Sequence, residues 1–514
     1  MLGARSYAES EYRRIRKLKE MGFNAIRSAH NPACRSMLEA CDRLGVYVMD
    51  ELWDMWDKSK TEFDYADRFI ENYEKDIEKI AAKDYNHPSV IMYSIGNEVT
   101  EPAKPEGVEL AKKLYAKVKK TDSTRPVTAG INLTLLFLAT LENNPMEGGG
   151  EAPATQEMNS TAYNEMVSMM GNRMTMAAAM PQADEVSSPV LDMLDIAGYN
   201  YAVSRYATEG EVHPDRIVVG SETYPYEIAR TWPMVEKYPY LIGDFMWTAW
   251  DYLGETGIGG WSYDPEDIGF NKRYPWLLAD TGAMDILGND NAEAGLAAVV
   301  WGARKMPYIG VCPVNHPGVI PSKAIWRGSN ALPYWSYTGC DGNDADVEVC
   351  TTGSRVELFL NGKSAGCEEV KDNQAYFHVK YESGELKAVA YDEAGTVLSE
   401  SSLRSATGKT EICVTPESEK VQKGDILYLA IDLTGENGEI ECNRDTLLSV
   451  SVEGGELLAF GSACPKTEET FLAGQHTTYY GRSQAVVRVL SEEMTVTVSG
   501  EGLPDVTKII TTVQ

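Results

Sequence analysis

Two apolar spacings alternate along the first half of the chain. Residues 7–21 carry Tyr12, Ile15, Leu18 and Met21 at helical intervals among charges, and Gly22 follows. This predicts an amphipathic helix and its stop. FNAIR at 23–27 is a short apolar run without that interval and predicts a strand. The pair of patterns repeats. A helix is predicted over 33–44 with Gly45 as its cap, a strand over 46–50 and a helix over 66–85. Then come a strand over 90–96, a helix over 106–120 and a strand over 125–129. After an interruption, strands are predicted at 194–200, 216–221 and 241–247. Strands alternating with helices build a parallel barrel, and a closed barrel of this kind needs eight strands. Seven are found. Because the chain starts on a helix, the strand expected to be missing is the first.

The interruption, 131–190, is rich in Met, Asn, Gly and Ala and contains Gly148-Gly149-Gly150, with helical patches near 132–142 and 161–180. It reads as an insertion over the barrel mouth, since long excursions at that face often carry function. After about residue 300, period-two strands replace helices. VELFL at 356–360 followed by Asn361-Gly362 signals a hairpin, and a second block repeats the texture from ILYLA at 426–430 to MTVTV at 494–498. The expected architecture is an α/β TIM-type (β/α)8 barrel lacking its first strand over 1–300. Two all-β sandwich, immunoglobulin-like domains follow over 301–407 and 408–514.

Charge and cysteine usage narrow the partners. A formal charge of −30 disfavours nucleic acid and anionic membrane surfaces, both negative themselves. No apolar run reaches the length of a membrane span, and the N-terminus shows no signal-peptide pattern. The nine cysteines are irregularly spaced without a CxxC pair, which suits free thiols in a reducing compartment, so the expected location is cytoplasmic. The six histidines are dispersed without HExxH, and no catalytic metal is expected. Gly254-x-x-Gly257-x-Gly259 has the wrong order for a dinucleotide fingerprint, and neither GxSxG nor a phosphate-binding glycine loop occurs.

Chemistry concentrates at two strand tips. VIMYSIGNE at 90–98 ends in Glu98, and IVVGSE at 217–222 ends in Glu222. An isolated acid at a strand end is usually a cap or a solvated loop group, as expected for Glu101 and Glu227. Two on matching tips fit a reaction that needs paired carboxyl groups. In glycoside cleavage one protonates the leaving oxygen, and the other attacks the anomeric carbon or activates water. Tyr199 or Tyr201 is placed to donate a hydrogen bond to Glu222. Trp53, Trp56, Trp247, Trp250, Tyr252 and Trp261 offer faces on which a sugar can stack, with core packing expected for about half of them.

These stretches resemble glycoside hydrolase family 2, the β-galactosidase and β-glucuronidase family. The similarity is carried by GFNAIRSAHNP (22–32), LGVYVMDELWDMW (44–56), NHPSVIMYSIGNE (86–98), VGSETYP (219–225) and GDFMWTAWDYLGE (243–255), with VELFLNGKSAG (356–366) in the tail. The resemblance implies a retaining double displacement with Glu98 as acid/base and Glu222 as nucleophile. It also implies Arg27, His30, Asn97, Tyr199 and Trp247 around the sugar. Family members carry a sugar-binding sandwich and an immunoglobulin-like domain before the barrel, and neither stretch is found here. The Asn-x-Lys pair of its glucuronidases is not matched by Asn271-Lys272-Arg273, which favours a neutral sugar, galactose. No cofactor is expected. The family includes members with bound Mg²⁺ or Na⁺, but no ligands are assignable here. The expected partner is a carbohydrate substrate, with oligomer formation open. The alternatives are β-glucuronidase or another family 2 specificity, or a truncated, catalytically weak carbohydrate-binding protein.

Overall fold

The structure is a computed structural model and describes residues 2–513 apart from 4, 142–159, 172 and 268–271. The glycine run at 148–150 and Asn271 therefore lie outside the described residues.

Seven parallel strands form one curved sheet in chain order: β1 (Ala25–Arg27), β2 (Tyr47–Glu51), β3 (Val90–Asn97), β4 (Val127–Ile131), β5 (Ala197–Asn200), β6 (Val218–Thr223) and β7 (Leu241–Met246). Each strand pairs in parallel with the next. The result is a nearly closed TIM-like barrel. Strands covered on both faces need continuous apolar runs, and β3 through β6 are almost wholly buried. The flanks differ. All three residues of β1 are half-buried, and Ile242 in β7 is exposed. These are the two strands with a ladder partner on one side only. Met49, Met92, Ile196 and Val219 pack together in the barrel, with Phe245 against them. Met49 and Met92 stand two residues before Glu51 and Ser94, one layer below the polar strand tips.

Helices occupy the predicted intervals: α1 (Ala8–Glu20), α2 (Arg35–Leu44), α3 (Ala66–Asp84) and α4 (Pro105–Thr121). Gly45 caps α2 in the left-handed conformation, and Pro105 opens α4 where its missing N–H costs nothing. In the insertion, α5 (Leu133–Leu138), α6 (Ser160–Met170), α7 (Arg173–Met176) and α8 (Pro181–Leu191) are described. Only the last of these was not foreseen from the sequence.

Packing divides the chain into two compact units, Phe23–Trp247 and Met1–Gly22 with Thr248–Gln514. The first contains all seven strands. Compactness thus groups α1 with the tail. Arg13 of α1 makes two 2.7 Å bonds to the Glu417 carboxylate and lies 4.1 Å from the centre of the Tyr428 ring, whose hydroxyl donates to Ser10. In the same unit, three- and four-stranded antiparallel sheets enclose a core that includes Trp335, Val347, Leu358 and Leu386. Two further four-stranded sheets enclose Leu429, Val450, Phe460 and Val496. Residues Asn361 and Gly362 both adopt positive φ, as the tight turn between Arg355–Leu360 and Lys363–Glu369 requires.

Candidate active site

The strand tips of the first unit converge on a buried polar cluster centred on Arg27, the last residue of β1. All five of its N–H groups are used. Nε and Nη2 donate to Glu51 Oε2 at 3.0 and 2.7 Å, and Nη2 also donates to Asn97 Oδ1 at 2.9 Å. Nη1 donates to Glu222 Oε2 at 2.8 Å and to the Ser221 carbonyl at 2.9 Å. Glu51, fully buried at the end of β2, also accepts from Ser94 Oγ at 2.6 Å and pairs with His30 Nδ1 at 2.6 Å. This crowding leaves no room for a side chain at Gly130. A Cβ there would lie 2.8 Å from Arg27 Nη2 and 2.9 Å from Asn200 Oδ1.

Glu98 and Glu222 share one donor. Asn200 Nδ2 stands 3.5 Å from Glu98 Oε1 and 3.1 Å from Glu222 Oε2, so those oxygens are separated by at most about 6.6 Å. Their surroundings differ. Glu222 takes bonds from Arg27, Asn200 and Tyr201, the last at 2.6 Å, a set that suits a carboxylate. Glu98 accepts from Asn132 Nδ2 at 2.8 Å. Burial, and then the negative charge of Glu222, push the Glu98 carboxyl up to about 7, against the opposing pull of Lys60, Asn132 and His30. Asn132 also caps α5 through Leu135 N, so the loop after β4 is fixed by the same side chain that holds Glu98.

The sequence-derived candidates sort clearly. Arg27, His30, Asn97, Glu98, Glu222 and Trp247 are brought together, with Trp247 stacked on the His30 ring at 4.8 Å and 3°. The Asn97 amide is engaged by Arg27, Asn200, Asp54 and His30. Tyr199 is not brought to the carboxylates. Its hydroxyl donates to Glu209 at 2.7 Å and accepts from Arg216, and Tyr201 is the tyrosine on Glu222. The β5–β6 register shifts between Tyr199 and Asn200, and Tyr201 has φ 51°, so the two tyrosines leave the common face of a regular strand. Trp53 and Trp56 are buried packing groups, Trp53 edge-on to Phe69 and Trp56 donating to the Ile95 carbonyl. Glu51, Asp54, Lys60, Asn132 and Asn200 were not singled out from sequence. Glu51 and Asn200 carried the signal used for Glu98, a polar residue ending an apolar strand. Among the described residues, no group of three or more His, Cys, Asp or Glu is placed to hold a metal ion.

A parallel barrel with two carboxyl groups at its strand tips is an arrangement that glycoside hydrolases use. Residues 9–188 match the family model described as glycosyl hydrolases family 2, TIM barrel domain. Residues 412–508 match glycoside hydrolase family 2 C-terminal domain 5, and 342–399 match a domain of unknown function. The chain is 27% identical over 541 residues to β-galactosidase BoGH2A of Bacteroides ovatus, covering 95% of this chain and 57% of that relative. It is 25% identical over 246 residues to a β-glucuronidase of Bacteroides fragilis, covering 46% of this chain and 32% of that one. A solved glycosyl hydrolase family 2 member from Bacteroides cellulosilyticus superposes with a TM-score of 0.82 at 32% identity, covering 100% of this chain and 61% of that chain. A β-glycosidase from Bacteroides vulgatus, at 22% identity and a TM-score of 0.71, shares the fold. The chain belongs to glycoside hydrolase family 2. It spans little more than half the length of that Bacteroides ovatus relative.

Proposed function

We propose that this protein is a retaining exo-β-glycosidase that removes terminal β-linked neutral sugars, galactose first among them. The observation that carries this reading is the pair of carboxyl groups sharing Asn200 in opposite electrostatic settings. Glu98, kept protonated by burial and by Glu222, gives its proton to the glycosidic oxygen. Glu222, bonded by Arg27 and Tyr201, attacks the anomeric carbon. The aglycone leaves with the proton and a glycosyl ester forms on Glu222. Esterification removes the negative charge that raised Glu98, which eases its ionisation when it must take a proton from the incoming water. Water then attacks the same carbon and frees Glu222. The oxygen separation above falls at or below the spacing of about 6.5–9.5 Å that leaves room for a water in inverting enzymes.

Charge favours a neutral sugar. Arg27 has all its donors engaged within the protein, and Lys60 is paired with Asp54 and the Asn97 carbonyl. Burial opposes ionisation of Asp54, yet Lys60 and His30 hold its carboxyl down at about 2. With its side chain 30% exposed, it presents an anion that accepts hydroxyls and repels a uronate. The test compares chromogenic β-galactoside and β-glucuronide, with NMR of the first sugar anomer released. Turnover of the galactoside with β-anomer first is expected, lost in Glu222→Gln. An α-anomer first, or Glu222→Gln indistinguishable from the parent, refutes the mechanism. Preference for the glucuronide refutes the neutral-sugar assignment.

A further inference from the structure

Lys60 lies outside the regular elements, between β2 and α3, and its side chain is only 6% exposed. Burying an ammonium is costly unless oxygens surround it. Here Nζ donates to Asp54 Oδ1 at 2.6 Å and to the Asn97 carbonyl at 2.6 Å. That carbonyl belongs to the peptide joining Asn97 to Glu98. The N–H of the same peptide donates to the Gly130 carbonyl at 2.7 Å. The peptide is thus clamped at both ends, immediately before a residue with φ 43°, a left-handed conformation that side-chain-bearing residues avoid. The contact ties the segment after β2 to the peptide that precedes Glu98.

We propose that Lys60 is a positioning residue for Glu98, holding its peptide in the left-handed turn and placing one positive charge beside its carboxyl. The inference rests on the reading of Glu98 as the acid/base. The other groups facing Glu98 are Glu222 from β6, His30 after β1, Tyr163 from α6, and Tyr201 and Tyr224 after β5 and β6, with the amides of Asn132 and Asn200. None of these shares the contact with the Asn97 carbonyl, so Lys60 acts on both the placement and the charge of the acid.

The experiment titrates the Glu98 carboxyl directly, by ¹³C NMR of protein labelled at the glutamate side-chain carboxyl, with the signal assigned by its loss in Glu98→Gln. In Lys60→Met the midpoint rises by about one unit, because an attractive charge is gone. In Asp54→Asn it falls by about one unit, because the ammonium is no longer offset. Lys60→Arg keeps the charge and restores the midpoint. Melting curves identify any variant that fails to fold, and Asp54→Asn alone then decides. A midpoint unmoved in the folded variants, or moved in one direction by both, overturns the proposal. This titration needs no turnover. Inactivity of the parent protein on every β-glycoside tried would refute the glycosidase reading while leaving the midpoints to judge Lys60. In an active protein, the alkaline limb of kcat/KM moves with the NMR midpoint and kcat falls at least tenfold in Lys60→Met.

Discussion

Tyr201→Phe removes one oxygen and nothing else from the neighbourhood of the proposed nucleophile. The hydroxyl donates to Glu222 Oε1 at 2.6 Å, while Arg27 and Asn200 both serve Oε2. The substitution therefore strips Oε1 of its donor and leaves Oε2 as it was. A hydrogen bond to a charged group is worth about 1.5–3 kcal/mol, and more when its loss leaves a buried anion unsatisfied. If that stabilisation is lost where Glu222 must be aligned, kcat/KM falls by about 10- to 150-fold. Tyr199→Phe is the matched control: same residue type, two positions earlier, equally buried, but bonded to Glu209 and Arg216. It should cost about 1–2 kcal/mol of stability and leave kcat/KM within about twofold of the parent. The assay is steady-state hydrolysis of a chromogenic β-galactoside, alongside thermal melting of each protein. Equal catalytic losses in the two variants, or a Tyr201→Phe enzyme within twofold of the parent, would refute the assignment of Tyr201 to the nucleophile.

Three further outcomes are expected. Because Glu98 acts as an acid, kcat/KM falls as pH rises through about 7, and Glu98→Gln abolishes this limb while sparing substrates whose leaving group needs no proton. The same group sets a stability trend. A carboxyl raised on folding contributes stability below its unfolded pKa and loses it as pH rises through about 7, so Glu98→Gln raises the melting temperature more at pH 8 than at pH 5. Arg13→Ala removes both 2.7 Å bonds to Glu417 and uncovers the Tyr428 ring. Lys17 at 3.6 Å and Arg16 at 3.9 Å remain beside the carboxylate, so stability falls by about 1–3 kcal/mol, read by denaturant titration.

Much of the frame was legible because buried parallel strands and their helices have distinct periods. VIMYSIGN at 90–97 reads as a strand for the reason it is one: both faces are covered. The two catalytic candidates were legible because they end two matching runs, where either glutamate alone would pass for a cap or a solvated loop group. What stayed hidden depends on departures from regularity. Tyr199 and Tyr201 share a face in an ideal strand, so only the register shift before Asn200 could separate them. Lys60 and Asp54 sit on an irregular segment, where no period says which way a side chain turns. Asn200 stands between two tyrosines, and nothing in the strand's period marks its contact with both carboxylates. The grouping of α1 with the tail depends on Arg13 meeting Glu417, 404 positions away, and an amphipathic stripe names no such partner.

The stacked pair of His30 and Trp247 has a mechanical consequence. These residues follow β1 and β7, the strands that carry the sheet's two unladdered borders. Where backbone hydrogen bonds stop, an imidazole and an indole act as the clasp. Ring stacking resists separation far less cooperatively than a ladder, so the borders should breathe while β3 to β6 stay locked. Amide exchange would then trace a slow inner arc between two fast selvedges. Any ligand that buttresses the clasp should slow both selvedges together, coupling occupancy of the mouth to the stiffness of its rim.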